Sequence, residues 1–230
     1  MTPTPDKPRL TPVADHALLV EFAETIGDAA HAAVLDLDRV LSAALPPGVT
    51  ELVPAYVSLL VDFDPLETDH AAVSAAVLAA LRQPREDSRP TALREVLVCY
   101  DPDLAPDLPE VAARTGLSEE AVIEAHLAGD YRVFLYGFAP GYAYLAGVPE
   151  AIRLDRKPVP RRGVAAGSVI VAGPQCLVTT LTMPTGWWII GRSPTRILTG
   201  DESRPFLFDV GDAVRFRRIG RAEFEGAQHG

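Results

Sequence analysis

Three arginines, a glutamine and a group of aromatic rings carry the chemistry that this sequence offers. Arg161 and Arg162 follow a stiff proline in "PVPRRG", and Arg192 follows a glycine at the end of the apolar run in "GWWIIGRSP". A guanidinium in either setting can present its planar fork to a carboxylate, a phosphate or a developing oxyanion. Gln175, in "GPQC", stands in a turn between apolar runs and can both donate to and accept from an amide. The rings come from "GFAPGYAYLAG" (137–147), where Phe138, Tyr142 and Tyr144 lie among Gly137, Gly141, Gly147 and Pro140. That mixture suits neither a helix nor a plain strand. Glycine and proline let a backbone pass close to a ligand and aim rings at it. Two readings stand side by side: one pocket wall of rings and cations, or a packed loop closing a barrel end with solvated arginines nearby.

A nucleophile with its base is missing from the pattern. The histidines, His16, His31, His70, His126 and His229, show no HxH or HxxxH spacing and read as packing or surface residues. Ser168 lies in "AAGSVIV", which is not GxSxG. With only Lys7 and Lys157 there is no P-loop, no biotin-carrier lysine beside a methionine, and no lysine near serines for a Ser–Ser–Lys amidase. Cys99 and Cys176 sit in apolar runs without a CxxC partner and read as buried free thiols. What remains works by positioning and charge stabilisation. The stretch "LPEVAARTGLSEEAVIEAHLAG" has a helix-turn-helix outline. From residue 107 to 126 the charges are Asp107, Glu110, Glu119, Glu120 and Glu124 against Arg114, the wrong sign for phosphate, so a structural helical hairpin is expected.

The elements that must hold these residues fall into two groups. "ALLVEF" reads as a strand, Asp28 as the cap of a helix to about residue 45, and "TELVPAYVSLLVDFD" as two strands with a kink at Pro54. Asp69 caps a second helix, and the order ββαββα predicts a small α/β sandwich with helices on one sheet face. "RQPREDSRP" (82–90) reads as a linker after a loose proline-bearing arm at residues 1–9, which divides the chain into domains at 1–90 and 91–230. Beyond residue 131, "YRVFLY", "GSVIVAG", "LVTTLTM", "GWWIIG", "RPFLF" and "AVRFRRI" are short strands of a barrel or sandwich. A net charge of −10 disfavours nucleic acid and anionic lipid. The "MTPTPDKPRL" start has no signal-peptide core and no run approaches a membrane span, so the expected location is cytoplasmic.

The segments "YRVFLYGFAPGYAYLAGVPE", "PVPRRGVAAGSVIVAGPQ", "GWWIIGRSP" and "PFLFDVGDAVRF", in this order, resemble the small subunit of bacterial 5-oxoprolinase. That family is also called allophanate hydrolase subunit 1, or the first carboxyltransferase subdomain. The resemblance implies an α+β fold with a C-terminal cyclophilin-like β-barrel. It also implies a larger homologous subunit as partner, a third separate subunit, and ATP-driven opening of the 5-oxoproline lactam. Relatives act as the carboxyltransferase part of biotin-dependent urea carboxylase, or inhibit a sporulation histidine kinase. In such a barrel, with no nucleophile–base pair but a cluster of rings and arginines, Phe138, Pro140, Gly141, Tyr142, Tyr144 and Trp187 are expected to form the side that binds a small amide, lactam or biotin-like ring. Arg161 and Arg192 would hold its carboxylate or oxyanion, and Gln175 would bond the amide. The family usually reads "QTGIYP" and "SPGGW" where this chain has "QCLVTTLTMPTGW". The changed residues Cys176, Leu177, Thr179 and Thr185 are expected to line one barrel face.

Overall fold

The computed structural model describes residues 8–83 and 92–228, and the chain divides into two compact units, Met1–Pro90 and Thr91–Gly230. Most of the expected N-terminal arm and most of the expected linker lie outside the described residues.

In the first unit, β1 (Arg9–Val13), β2 (Ala17–Glu21), α1 (Asp28–Ala43), β3 (Val49–Pro54), β4 (Ser58–Phe63) and α2 (His70–Ala80) follow in ββαββα order. The strands pair antiparallel in the order β1-β2-β4-β3. The two-residue strand period puts Leu18, Val20, Leu59, Val61 and Phe63 into one core with Val34, Leu37 and Leu41 of α1 and Val73 and Val77 of α2. Helix α2 starts as the sequence predicts, with the Asp69 carboxylate accepting from the Ala72 N–H at 2.8 Å. Helix α1 does not. Extended Gly27 takes the N-cap position without a side-chain cap, and Asp28 is the first helical residue, where its charge favours the positive end of the helix.

The second unit contains β5 (Leu93–Val98), α3 (Leu108–Thr115), α4 (Glu119–Leu127), β6 (Tyr131–Tyr136), β7 (Ala143–Ala146), β8 (Arg161–Val164), β9 (Ser168–Ala172), β10 (Gln175–Val178), β11 (Met183–Thr185), β12 (Trp188–Arg192), β13 (Ala213–Arg218) and α5 (Arg221–Gln228). Seven strands form one sheet in the order β12-β9-β10-β7-β6-β13-β5. Its two edges meet. Past the end of β5, the Cys99 N–H donates to the Arg192 carbonyl at 2.8 Å and the Arg192 N–H returns the bond at 2.9 Å. Farther along, the Asp107 N–H donates to the Ile189 carbonyl at 3.1 Å. The sheet is therefore a nearly closed barrel. Gly191 lies at this seam, where a Cβ would fall 2.7 Å from Val98 Cγ1.

Inward residues, among them Val98, Tyr131, Leu145, Val171, Cys176, Trp188, Ile190 and Phe216, fill the barrel, and Leu108, Val111, Val122 and Ile123 of the α3–α4 hairpin join the same core. Gly116 ends α3 in the left-handed conformation, and Ser118 caps α4 by accepting from the Ala121 N–H at 3.1 Å. The hairpin's apolar side is thus committed to packing. "RPFLF" is not a strand; it contributes one isolated bridge, Leu198 to Phe206. β8 and β11 form a separate two-stranded ribbon. No described helix is long and apolar enough to cross a membrane.

Candidate functional site

Ala143 and Leu145 of β7 face the barrel core, so their neighbours Tyr142 and Tyr144 face out. There they meet Ile170, Leu177, Trp187 and Ile189 beneath Val164 and Met183 of the β8–β11 ribbon. The Tyr144 and Trp187 rings are edge-to-face with centroids 5.9 Å apart, and Phe138 lies 5.8 Å from Tyr142. Tyr142 and Trp187 are buried, whereas Phe138 is 76% exposed at the tip of the loop. Its φ of +72° is uncommon for a residue with a side chain, and Gly141 follows at +74°. Bonds from the Ala139 N–H to the Gly137 carbonyl (2.9 Å) and from the Tyr142 N–H to the Ala139 carbonyl (3.1 Å) hold this double bend. Burial raises the pKa of both tyrosines, and at Tyr144 the Arg156 charge pulls the other way.

Cations ring the same outer face. The Arg156 guanidinium lies 5.6 Å from the Trp187 ring centroid. Arg161 pairs in register with Thr185, two residues before Trp187, and its Nη1 is 3.5 Å from Asp107 Oδ1. Asp107 Oδ2 accepts from Lys157 Nζ at 2.6 Å and from the Ile189 N–H at 2.8 Å. Lys157 is also bonded through its N–H to the Gly186 carbonyl at 2.7 Å. Gln175 is half-buried on β10 opposite Ala146 and Ala172, and because Cys176 points inward, Gln175 shares the outward side with Leu177 and Tyr144. Sequence reasoning missed Arg156, Lys157 and Asp107. The run "DRKPVPRR", with four cations among residues 155–162 of an acidic protein, was the signal available.

Arg192 is elsewhere. It pairs with Ser168 at one end of β9, whereas Gln175 pairs with Ala172 at the other. Four strand residues separate those ends by roughly 13 Å. The single mouth expected to gather Tyr144, Gln175 and Arg192 is therefore not formed. Arg192 Nε is buried and has no hydrogen-bond partner among the described residues. Its neighbours Gly167 and Ser193 lead into a cavity of about 480 Å³ lined also by Thr179, Thr180, Arg196 and Leu198. Pro140 and Gly141 belong to this side as well. The Thr180 hydroxyl donates to the Pro140 carbonyl at 2.6 Å, and a Cβ on Gly141 would meet Leu198 Cδ2 at 2.7 Å. The predicted residues thus divide between an outer shelf (Tyr142, Tyr144, Trp187, Gln175 and Arg161) and a cavity rim (Pro140, Gly141 and Arg192), with Phe138 at the tip of the loop that joins them.

The segment expected to line one barrel face divides too, because strand side chains alternate. Cys176 points inward, Leu177 outward, and Thr179 accepts from the Ser168 N–H at 2.9 Å in the cavity wall. Inside the barrel, His126 Nδ1 lies 2.7 Å from the Tyr100 hydroxyl and its Nε2 lies 3.6 Å from Cys176 Sγ. Burial lowers the His126 pKa to about 3 and pushes the Cys176 thiol up. A neutral thiol sealed from solvent beside a neutral imidazole is a core contact and not an activated nucleophile. Among the described residues no group of three His, Cys, Asp or Glu side chains could hold a metal ion.

Comparison with known proteins agrees with this architecture. Residues 8–208 match the family described as carboxyltransferase domain, subdomain C and D. The chain is 34% identical over 223 residues to a 5-oxoprolinase subunit of Bacillus subtilis (strain 168), covering 92% of this chain and 93% of that protein. The solved structure of TTHA0988 superposes with a TM-score of 0.79 at 37% identity, over 89% of this chain but only 40% of that one. Urea carboxylase of Kluyveromyces lactis shares the fold at a TM-score of 0.74 and 15% identity, over 98% of this chain and 23% of that enzyme.

Proposed function

The chain belongs to the carboxyltransferase-domain family, subdomains C and D, and from that premise we propose that it is the small subunit of a heteromeric, ATP-dependent 5-oxoprolinase that opens 5-oxoproline to glutamate. The observation that carries this reading is the end-to-end similarity to a protein named as a 5-oxoprolinase subunit. The partners are a larger homologous subunit and a third subunit. In support, the matching part of TTHA0988 is under half of a longer chain, so an equivalent unit occurs joined to a larger remainder.

In this reading the outer shelf binds and the assembled complex activates. Tyr144 and Trp187 hold the lactam ring, Gln175 bonds its amide, and Arg161 stabilises negative charge as the ring opens. The sequence has no P-loop to hold ATP phosphates. Lys157, the single lysine among the described residues, is bonded to Asp107, so ATP is assigned to the complex as a whole. The fold shared with urea carboxylase favours one second reading, carboxyl transfer in a biotin-dependent system.

Coexpression with the larger and third subunits tests the proposal. ATP hydrolysis that depends on 5-oxoproline and yields glutamate is expected from the complete complex and not from this chain alone. No such activity, together with turnover of a urea-type substrate and a biotin carrier, replaces the first reading with the second.

A further inference from the structure

We propose that Arg156 is the residue that binds the substrate carboxylate on the outer shelf. The inference rests on the 5-oxoprolinase reading of that site and names a group that reading does not use. The Arg156 guanidinium lies over Trp187, 5.6 Å from the ring centroid, and its charge reaches the Tyr144 phenol. Among the described residues no carboxylate pairs with it, although acids outnumber bases by 31 to 21 in this chain.

Three other candidate cations are engaged or misplaced. Lys157 is bonded to Asp107 at 2.6 Å, Arg161 lies 3.5 Å from the same carboxylate, and Arg192 stands at the far end of β9. A guanidinium lying on an aromatic face keeps its in-plane N–H groups free at the edge, the geometry that takes a carboxylate in two parallel bonds. Asp107 does not compete for Arg156, because its two oxygens already face Lys157, Arg161 and the Ile189 N–H. The ligand class that fits is a small planar amide or lactam carrying one carboxylate. Its ring lies toward Tyr144 and Trp187, and its anionic group lies on Arg156.

Tryptophan emission offers a readout independent of turnover, since both tryptophans, Trp187 and Trp188, flank this cluster. The chain, alone and in the complex, is titrated with 5-oxoproline and with 2-pyrrolidone, the same lactam without a carboxylate. Arg156→Gln is expected to weaken 5-oxoproline binding at least tenfold, leave the weaker 2-pyrrolidone binding within twofold, and raise KM with kcat within threefold. Arg156→Lys should restore part of the loss. Unchanged 5-oxoproline binding in Arg156→Gln, absence of any 5-oxoproline response in the wild type, or an equal loss for both ligands would overturn the assignment. Failed assembly of Arg156→Gln with normal titration of the free chain would also overturn it, placing Arg156 in a subunit interface. A wild-type complex that binds 5-oxoproline through Arg156 but does not turn it over would instead refute the 5-oxoprolinase reading alone.

Discussion

At the scale of single residues, His126 shows how the barrel interior responds to acid. The imidazole is fully buried, contacts Tyr100 and Cys176, and has a pKa lowered to about 3 by desolvation. An unfolded histidine titrates near 6.5, so the unfolded chain takes up this proton first as pH falls. The contribution is complete above about pH 6.5 and is lost progressively down to about pH 3. Urea denaturation at pH 5 should find the protein about 2 kcal/mol less stable than at pH 7 from this group alone. His126→Gln should flatten that slope, and an unchanged slope would mean that the ring is not held neutral. The same scale shows what the sequence could reveal of the site. The rings at 138, 142, 144 and 187 and the amide at 175 were legible as candidates for a pocket wall or a packed loop, and the structure sets Tyr142, Tyr144, Trp187 and Gln175 on one outer face. Which arginines lie beside them was not legible, since Arg156 is in a loop and Arg161 and Arg192 are at the ends of strands whose neighbours only the fold decides.

At the scale of elements, the seam between β5 and β12 depends on one buried carboxylate. Asp107 precedes α3, bonds the backbone of Ile189 on both sides, and neutralises Lys157, with each of the two charged side chains only 11% exposed. Asp107→Ala leaves the Lys157 ammonium unpaired and the Ile189 N–H without its acceptor. A loss of about 3–5 kcal/mol in urea denaturation is expected. Replacing both partners, as Asp107→Leu with Lys157→Met, should recover most of that loss, because no buried charge is then stranded. A double variant as unstable as the single one would show that the backbone bonds and not the charge pair hold the seam. Local pattern could not foretell this contact. Asp69 was legible as a cap because a cap acts within three residues. The parallel pairing of β13 with β5, and the bridge from Cys99 to Arg192, join segments about ninety or more positions apart. Alternation fixes which side of a strand is buried and leaves its neighbours open.

At the scale of the whole molecule, the two units face different physical problems. The first is an open four-stranded sheet whose outer strands are β1 and β3. Pro12 in β1, and Glu51 with Pro54 in β3, are residues that discourage pairing with another chain. The second unit joins its sheet edges through the Cys99–Arg192 and Asp107–Ile189 bonds. Its main core draws only on residues from Val96 to Phe216. A nearly closed barrel with its own core needs no further strand to complete it. Residues 91–230 expressed alone should therefore be soluble and unfold in urea in one cooperative transition. Their tryptophan emission should match that of the full chain, because Trp187 and Trp188 are both in this unit. Strong binding of a hydrophobic dye, with helical and strand signal retained but near-ultraviolet dichroism lost, would describe a loosely packed state. That outcome would mean the seam does not hold without residues 1–90, and the shelf of rings and cations would then have to be studied only in the intact chain.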